Sequence, residues 1–402
     1  MAGSRSLLLS KGLIAFALVV AGYVAVTRSL AAVLAKSDPL SALSVSDDDA
    51  RVVARAARKV MESAKTDDER EWAVRLARSA LVRDATAVPA ITTVGIYNGL
   101  KDGAGGADWF AYSERLSRRD LRTQLYFIEK SVSNGDVAEA LRHYDIALRT
   151  SDDSAPTILY PVLRGAIADF AVRREFAKVL ARRPLWADAF ISDLATKAPD
   201  FAVVADFFAD VLRRGGQISA SSSQALLNNL VAKGEVAVAW KYYLAIHPGG
   251  DKLLIRNRNF SAAHVESSPF DWQMVNLAGV SASLGAGDNG QGLEYHLSPT
   301  IGSPVASQVT LLPPGKYRFQ SILTAASQSV GEGPYWELKC ANGLSIGTME
   351  MGGPVSESRT FTRDVIISGN CEAQLLTLIV RPSDDVQGAT GLLMLASITR
   401  IP

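Results

Sequence analysis

Little in this chain of 402 residues points to catalysis. It has two cysteines, four histidines and a formal net charge of +1. Such a balance of charge leaves no basic face of the kind that nucleic-acid binding requires, so no nucleic-acid partner is expected. His143, His247, His264 and His296 form no i, i+4 pair and have no metal-ligand spacing. No nucleophile elbow or Walker loop is present. Residues 285–290 spell G-x-G-x-x-G, but they lead into 292–297, which reads as a strand. A dinucleotide loop must open a helix, so this one reads as a hairpin turn. Asp47-Asp48-Asp49 and Asp152-Asp153 read as solvated caps. Glu332, Glu337, Glu350 and Asp364 are the carboxylates in the last third that could supply an acid pair, and they are scattered. The expectation is a non-enzyme with no catalytic residue, metal or cofactor.

Charge is also missing from residues 12–27, between Arg5 and Lys11 on one side and Arg28 on the other. About 20 residues span a hydrocarbon core. Arg28 can snorkel, and residues 30–35 extend the apolar character, so 12–35 reads as a transmembrane signal-anchor after a short segment 1–11. A small-x-small site at Ser29-Leu30-Ala31 leaves the alternative of a cleaved signal, and thus a secreted or periplasmic chain. An even cysteine count in an exported chain suggests one disulfide, Cys340–Cys371, which would contribute about 3–4 kcal/mol on the chain-entropy model. Buried free thiols are the other possibility.

From residue 46 to 247 apolar residues recur at helical spacing, as in Leu121, Leu125, Ile128 and Val132, or Val203, Phe207 and Val211. Thr66 and Glu69 form a capping-box pattern. Beneath the helices lies a repeat. Its clearest copy is Gly135-Asp136-Val137-Ala138-Glu139-Ala140-Leu141 followed by Tyr144 and Ala147. A second runs from Gly234 through Ala239-Trp240 to Tyr243 and Ile246. Similar triplets occur at Ala73/Ala77/Ala80, Ala107/Ala111/Glu114, Val172/Phe176/Val179 and Ala205/Ala209/Leu212. The period is close to the roughly 34 residues of helix-turn-helix solenoids. On these residues the segment resembles tetratricopeptide-repeat proteins, although the family's first-helix Trp, Leu and Gly are largely missing. The alternative is an irregular helical bundle.

Beyond the His247-Pro248-Gly249-Gly250 break, where a domain boundary is expected, the period changes to two. Runs at 308–312, 316–324, 335–340, 359–367, 374–381 and 391–401 read as short strands separated by Gly- or Pro-containing turns. Many such strands suggest an antiparallel β-sandwich. Asn257-Arg258-Asn259-Phe260, followed by Ser268-Pro269-Phe270-Asp271-Trp272, resembles the opening of jelly-roll carbohydrate-binding modules over about residues 253–402. Ser261 stands where that family often has an acidic residue, and the last strand lacks the acidic pair that often helps hold calcium.

The expected architecture is therefore a transmembrane helix, an α-helical solenoid over 46–247 and a jelly-roll β-sandwich over 253–402. Trp272 and Phe270 are expected in the core. Tyr335 and Trp336 are adjacent in a strand and point to opposite faces, so this pair and Tyr295 are the candidate glycan contacts. The two resemblances together imply a periplasmic scaffold on the bacterial inner membrane that assists exopolysaccharide or other glycan assembly. The helical surface would take envelope proteins and the sandwich polysaccharide. Alternatives are a purely structural subunit of an envelope complex and a polysaccharide-modifying enzyme.

Overall fold

A computed structural model describes the chain apart from residues 1, 104, 152–153, 248–254, 262–267, 286–290, 329–332 and 353, with side chains from residue 16 onward. The G-x-G-x-x-G loop, His264, Glu332, the Asp152-Asp153 pair and most of the expected domain boundary lie outside the described residues.

The order is helices, then strands. The helices are α1 (Ala2–Ser37), α2 (Pro39–Val45), α3 (Ala50–Ser63), α4 (Asp67–Arg83), α5 (Val88–Asp102), α6 (Ala107–Leu116) and α7 (Leu121–Ser133). They continue with α8 (Val137–Thr150), α9 (Ser154–Ala166), α10 (Phe170–Ala181), α11 (Ala187–Lys197), α12 (Phe201–Arg213), α13 (Ala220–Ala232) and α14 (Val236–Ile246). The chain divides into two compact units, Met1–Val162 and Leu163–Pro402. Helices α10–α14 thus belong with the strands.

Side-chain caps explain many of the helix starts. Asp49, Asp120, Asp136, Asp169, Asp200 and Ser219 each accept a hydrogen bond from a free backbone N–H of the first turn. The Thr66–Glu69 capping box forms in both directions. Gly135 and Gly234 turn the chain between α7 and α8 and between α13 and α14, with φ of 71° and 79°, a conformation that glycine adopts without a Cβ clash. Each repeat triplet falls on an even-numbered helix: α4, α6, α8, α10, α12 and α14. The alanines make close approach possible, and Ala73, Ala77 and Ala80 are fully buried. In the second unit α12 packs between α10 and α14, while α11 packs on α13.

Helix α1 contains a stretch, Phe16–Ser37, long and apolar enough to cross a membrane. Its last turns are not solitary. Ala31 and Ala35 are buried with Ala42 of α2 and Val52 of α3, and Arg28 pairs with Asp48 at 3.1 Å.

Ten strands lie among the described residues. One sheet runs in the order β1 (Gln273–Met274), β4 (Ser303–Thr310), β9 (Gln374–Val380), β6 (Tyr335–Cys340), β7 (Ser345–Glu350). The other runs β2 (Val280–Leu284), β3 (Leu293–Leu297), β10 (Ala389–Arg400), β5 (Gly315–Ala326), β8 (Arg359–Ile367). All pairings are antiparallel. Strands β1, β2 and β7 were not foreseen: β1 is two residues long, and β7 carries Gly347 and an irregular burial pattern. The core between the sheets is built on Phe260, Trp272, Tyr295, Phe319 and Trp336.

Within the second unit, α14 is riveted to the sandwich by Arg256. Its guanidinium lies 5.0 Å from the Trp240 ring, 5.4 Å from Tyr243 and 5.5 Å from Phe270. It also donates to the carbonyls of Phe270 and Val309. Tyr243 donates to Asp271 at 2.8 Å.

Candidate functional site

Cys340 and Cys371 form the expected disulfide. Cys340 ends β6, whereas Cys371 sits in the turn before β9 rather than on a strand. Both are buried. The bond closes a segment between neighbouring strands of one sheet, since Cys340 faces Gln374 in the β6–β9 register.

Two of the three candidate sugar contacts, Trp336 and Tyr295, are internal. Trp336 is 1% exposed, donates from Nε1 to Ser321 Oγ at 3.0 Å, and packs on Trp272 and Phe319. Tyr295 is buried, and its hydroxyl donates to Gln328 Oε1 at 3.1 Å. Burial holds the Tyr295 phenol well above the usual tyrosine range. Trp272 is in the core, as expected, with its Nε1 donating to the Asn257 carbonyl. The expectation that Trp336 and Tyr295 offer a stacking face to a sugar is therefore corrected: neither ring reaches the surface. Core packing wins because these are the largest apolar surfaces available to fill the space between the sheets.

Tyr335 is different. On β6 the side chains alternate, with Trp336, Leu338 and Cys340 inside and Tyr335, Glu337 and Lys339 outside. Register places Ile379 and Glu350 beside Tyr335, Thr377 and Thr348 beside Glu337, and Leu375 and Ser345 beside Lys339. The outer face of β9, β6 and β7 is thus a band of three rows. Arg381, just past β9, orders one end of it. Its guanidinium lies 4.3 Å from the Tyr335 ring centroid, makes a two-pronged ion pair with Glu350 at 2.7 and 2.8 Å, and donates to the Gly333 carbonyl at 3.0 Å. The Glu350 partnership holds the Arg381 pKa above its ordinary value. Such a fork fixes geometry better than a lysine would.

Among the described residues, Glu337, Glu350 and Asp364, the acids weighed for catalysis, do not share a cleft. Asp364 is on β8 in the other sheet, paired with Arg318 at 2.8 Å. Glu337 and Glu350 lie diagonally on the same open face, each already in an ion pair, with Lys339 and Arg381. His143 is buried on α8, hydrogen-bonded to Gln124 at 2.7 Å and stacked on Phe127. His296 is on the exposed side of β3, and His247 packs on Tyr243. Among the described residues no three His, Cys, Asp or Glu side chains cluster as metal ligands.

Arg381 and the threonines were not singled out from sequence. The signal for Arg381 was present, because it continues the outward parity of Leu375, Thr377 and Ile379. The pairing of β6 with β9 across the intervening residues 341–373 was not visible.

Fold and site together define a multidomain protein, helical and then antiparallel β, with an open polar sheet face. No family model matches the chain, and no curated protein matches it. Solved structures similar to it include a carbohydrate-binding module from the Cellvibrio mixtus lichenase 5A in complex with cellotriose (15% identity, 32% of this chain and 92% of that one, TM-score 0.22). Two others are the xylan-binding domain of Paenibacillus barcinonensis Xyn10C (14%, 38% and 96%, 0.25) and a putative sugar binding protein from Bacteroides thetaiotaomicron (8%, 33% and 88%, 0.25).

Proposed function

We propose that this is a non-enzymatic, membrane-anchored envelope protein whose sandwich binds glycan and whose helices act as a tetratricopeptide-like scaffold for protein partners in exopolysaccharide or other glycan assembly. The observation that carries the reading is the Tyr335 face. A sugar ring offers an apolar C–H face and a rim of hydroxyls. Tyr335, Ile379 and Leu375 supply apolar surface, while Thr377, Thr348, Glu337, Lys339 and Glu350 supply donors and acceptors within one or two strand spacings. Arg381 and Glu350 hold the ring before any ligand arrives, which lowers the ordering cost of binding. The disulfide and the apolar α1 support an oxidising, membrane-adjacent location.

The test is a glycan array probed with the full chain in detergent, followed by titration of each hit against Tyr335→Ala. The reading expects at least one polysaccharide hit and about a tenfold or greater loss of affinity in the variant, with the thermal midpoint retained. Binding that survives the substitution unchanged, or no hit at all, contradicts it.

A further inference from the structure

The second unit carries a channel that the sheet face does not use. It lies over α12, between α10 and α14, with a volume of about 900 Å³. Its floor is small and apolar: Ala205, Ala209 and Leu212 recur at i, i+4 and i+7 along α12. Phe170, 68% exposed, stands on the α10 wall and Val238 on the α14 wall. Charge is lopsided. Arg173, Arg174, Arg213, Arg214 and Lys241 line the channel against Asp206 and Asp210, a net of three positive charges. Asp210 is shared by Arg213 and Arg214 at 3.3 and 3.0 Å, and Asp206 is held by Lys241 at 3.0 Å. Arg174 also pairs at 3.6 Å with Glu175, which it shares with Lys178, and the lining itself keeps its excess of cations.

We infer that this channel docks an acidic amphipathic helix of a partner protein. Neighbouring helices sit about 8–10 Å apart, so with α12 between them the axes of α10 and α14 are up to about 16–20 Å apart, and a further helix can pack on α12 with its sides toward both. Small residues on α12 let an incoming backbone approach closely, and the cations at the walls and at the C-terminal end of α12 meet Glu or Asp flanking its apolar stripe. An extended peptide fits less well. Its main-chain N–H groups need acceptors, and those in the lining are already engaged: Asp206 with Lys241, Asp210 with Arg213 and Arg214, and the Tyr242 hydroxyl with Ser223 at 2.9 Å. A helix satisfies its own backbone. A polyuronate would match the charge but set its hydroxyls on an apolar floor. The inference rests on the helical layer being a partner-binding surface, and is independent of the Tyr335 face.

The experiment uses the full chain in detergent and a fluorescent 18-residue peptide with a Leu/Ala stripe flanked by glutamates. Saturable binding at micromolar concentration is expected, weakening as salt rises. A peptide with Gln in place of Glu, and the double variant Arg174→Glu/Arg213→Glu, should each lose about tenfold or more. Ala209→Met, which fills the floor without changing charge, should also weaken it, with folding of each variant checked by circular dichroism. Tyr335→Ala should bind the peptide normally, so failure here is distinguishable from failure of the glycan reading. Absence of saturable binding, indifference to the charge reversal, or displacement by polygalacturonate as readily as by unlabelled peptide would overturn the inference.

Discussion

Two adjacent residues, Tyr335 and Trp336, leave β6 on opposite sides, Tyr335 on its outer face and Trp336 in the core. Alternation in the sequence separates them; it does not say which one is inside. That choice is made by the opposite sheet, where Ser321 offers Trp336 a hydrogen-bond partner and Phe319 packs on its ring. Tyr295 is fixed by a similar non-local fit. Its ring lies over Gly391, where an added Cβ would come within 2.3 Å of the tyrosine hydroxyl. Gly391→Ala should therefore cost about 1–3 kcal/mol in chemical denaturation, as overpacking of a core does. His143 gives a pH-dependent prediction. Burial, then the neighbouring Arg142, lowers its pKa from 6.5, with Glu114 and Glu139 opposing. The unfolded chain thus takes up a proton below about pH 6.5 that the folded one resists. Stability of the first unit should be unaffected by this group above that pH. It should fall by up to about 1.4 kcal/mol per unit as pH drops below it, and His143→Gln should flatten that slope in denaturation midpoints measured from pH 7 to 5.

Elements were more legible than single positions. The helical period, the Thr66–Glu69 capping box and the acidic cap at Asp47-Asp48-Asp49 are local properties, and α4 and α3 start where those signals put them. Strands β6 and β8 match the expected ranges, because each is a run rich in apolar, β-branched or aromatic residues ended by a turn. Strand β4 begins at Ser303, five residues before the expected run, since Pro304 sits at a bulge that sequence alone reads as a break. Removing the Thr66 hydroxyl, as in Thr66→Ala, should lower stability by about 1 kcal/mol. The disulfide acts on a larger scale. It spans 31 residues and ties β6 to the turn before β9, so reduction should cost about 3–4 kcal/mol. Comparing urea midpoints with and without reductant checks this, and coincident curves would mean that the crosslink adds nothing.

For the whole molecule, the sequence pattern points to an anchored chain with a helical and a β region that changes over at 247–250, and the last helix, α14, does end at Ile246. The compact division follows Val162, and within the second unit Arg256, Phe270 and Asp271 bind α14 to the sandwich. Aromatic and cationic side chains scattered through the sequence carry no pairwise signal of that kind. The account also makes a statement about processing. Ala31, the end of the candidate cleavage site, is buried against α2 and α3, so the uncleaved chain should remain in the membrane fraction after carbonate washing. Recovery of a soluble mature form beginning near residue 32 would contradict the anchor.

The proposal that glycan binds at Tyr335 is checked by hydroxyl-radical footprinting of the full chain with and without a polysaccharide hit from the array. The account predicts that Tyr335 and Leu375 react in the free protein and are protected in the complex, while buried Trp336 and Tyr295 stay unreactive in both. Unchanged reactivity of Tyr335 under saturating glycan, or protection confined to another surface, would contradict it.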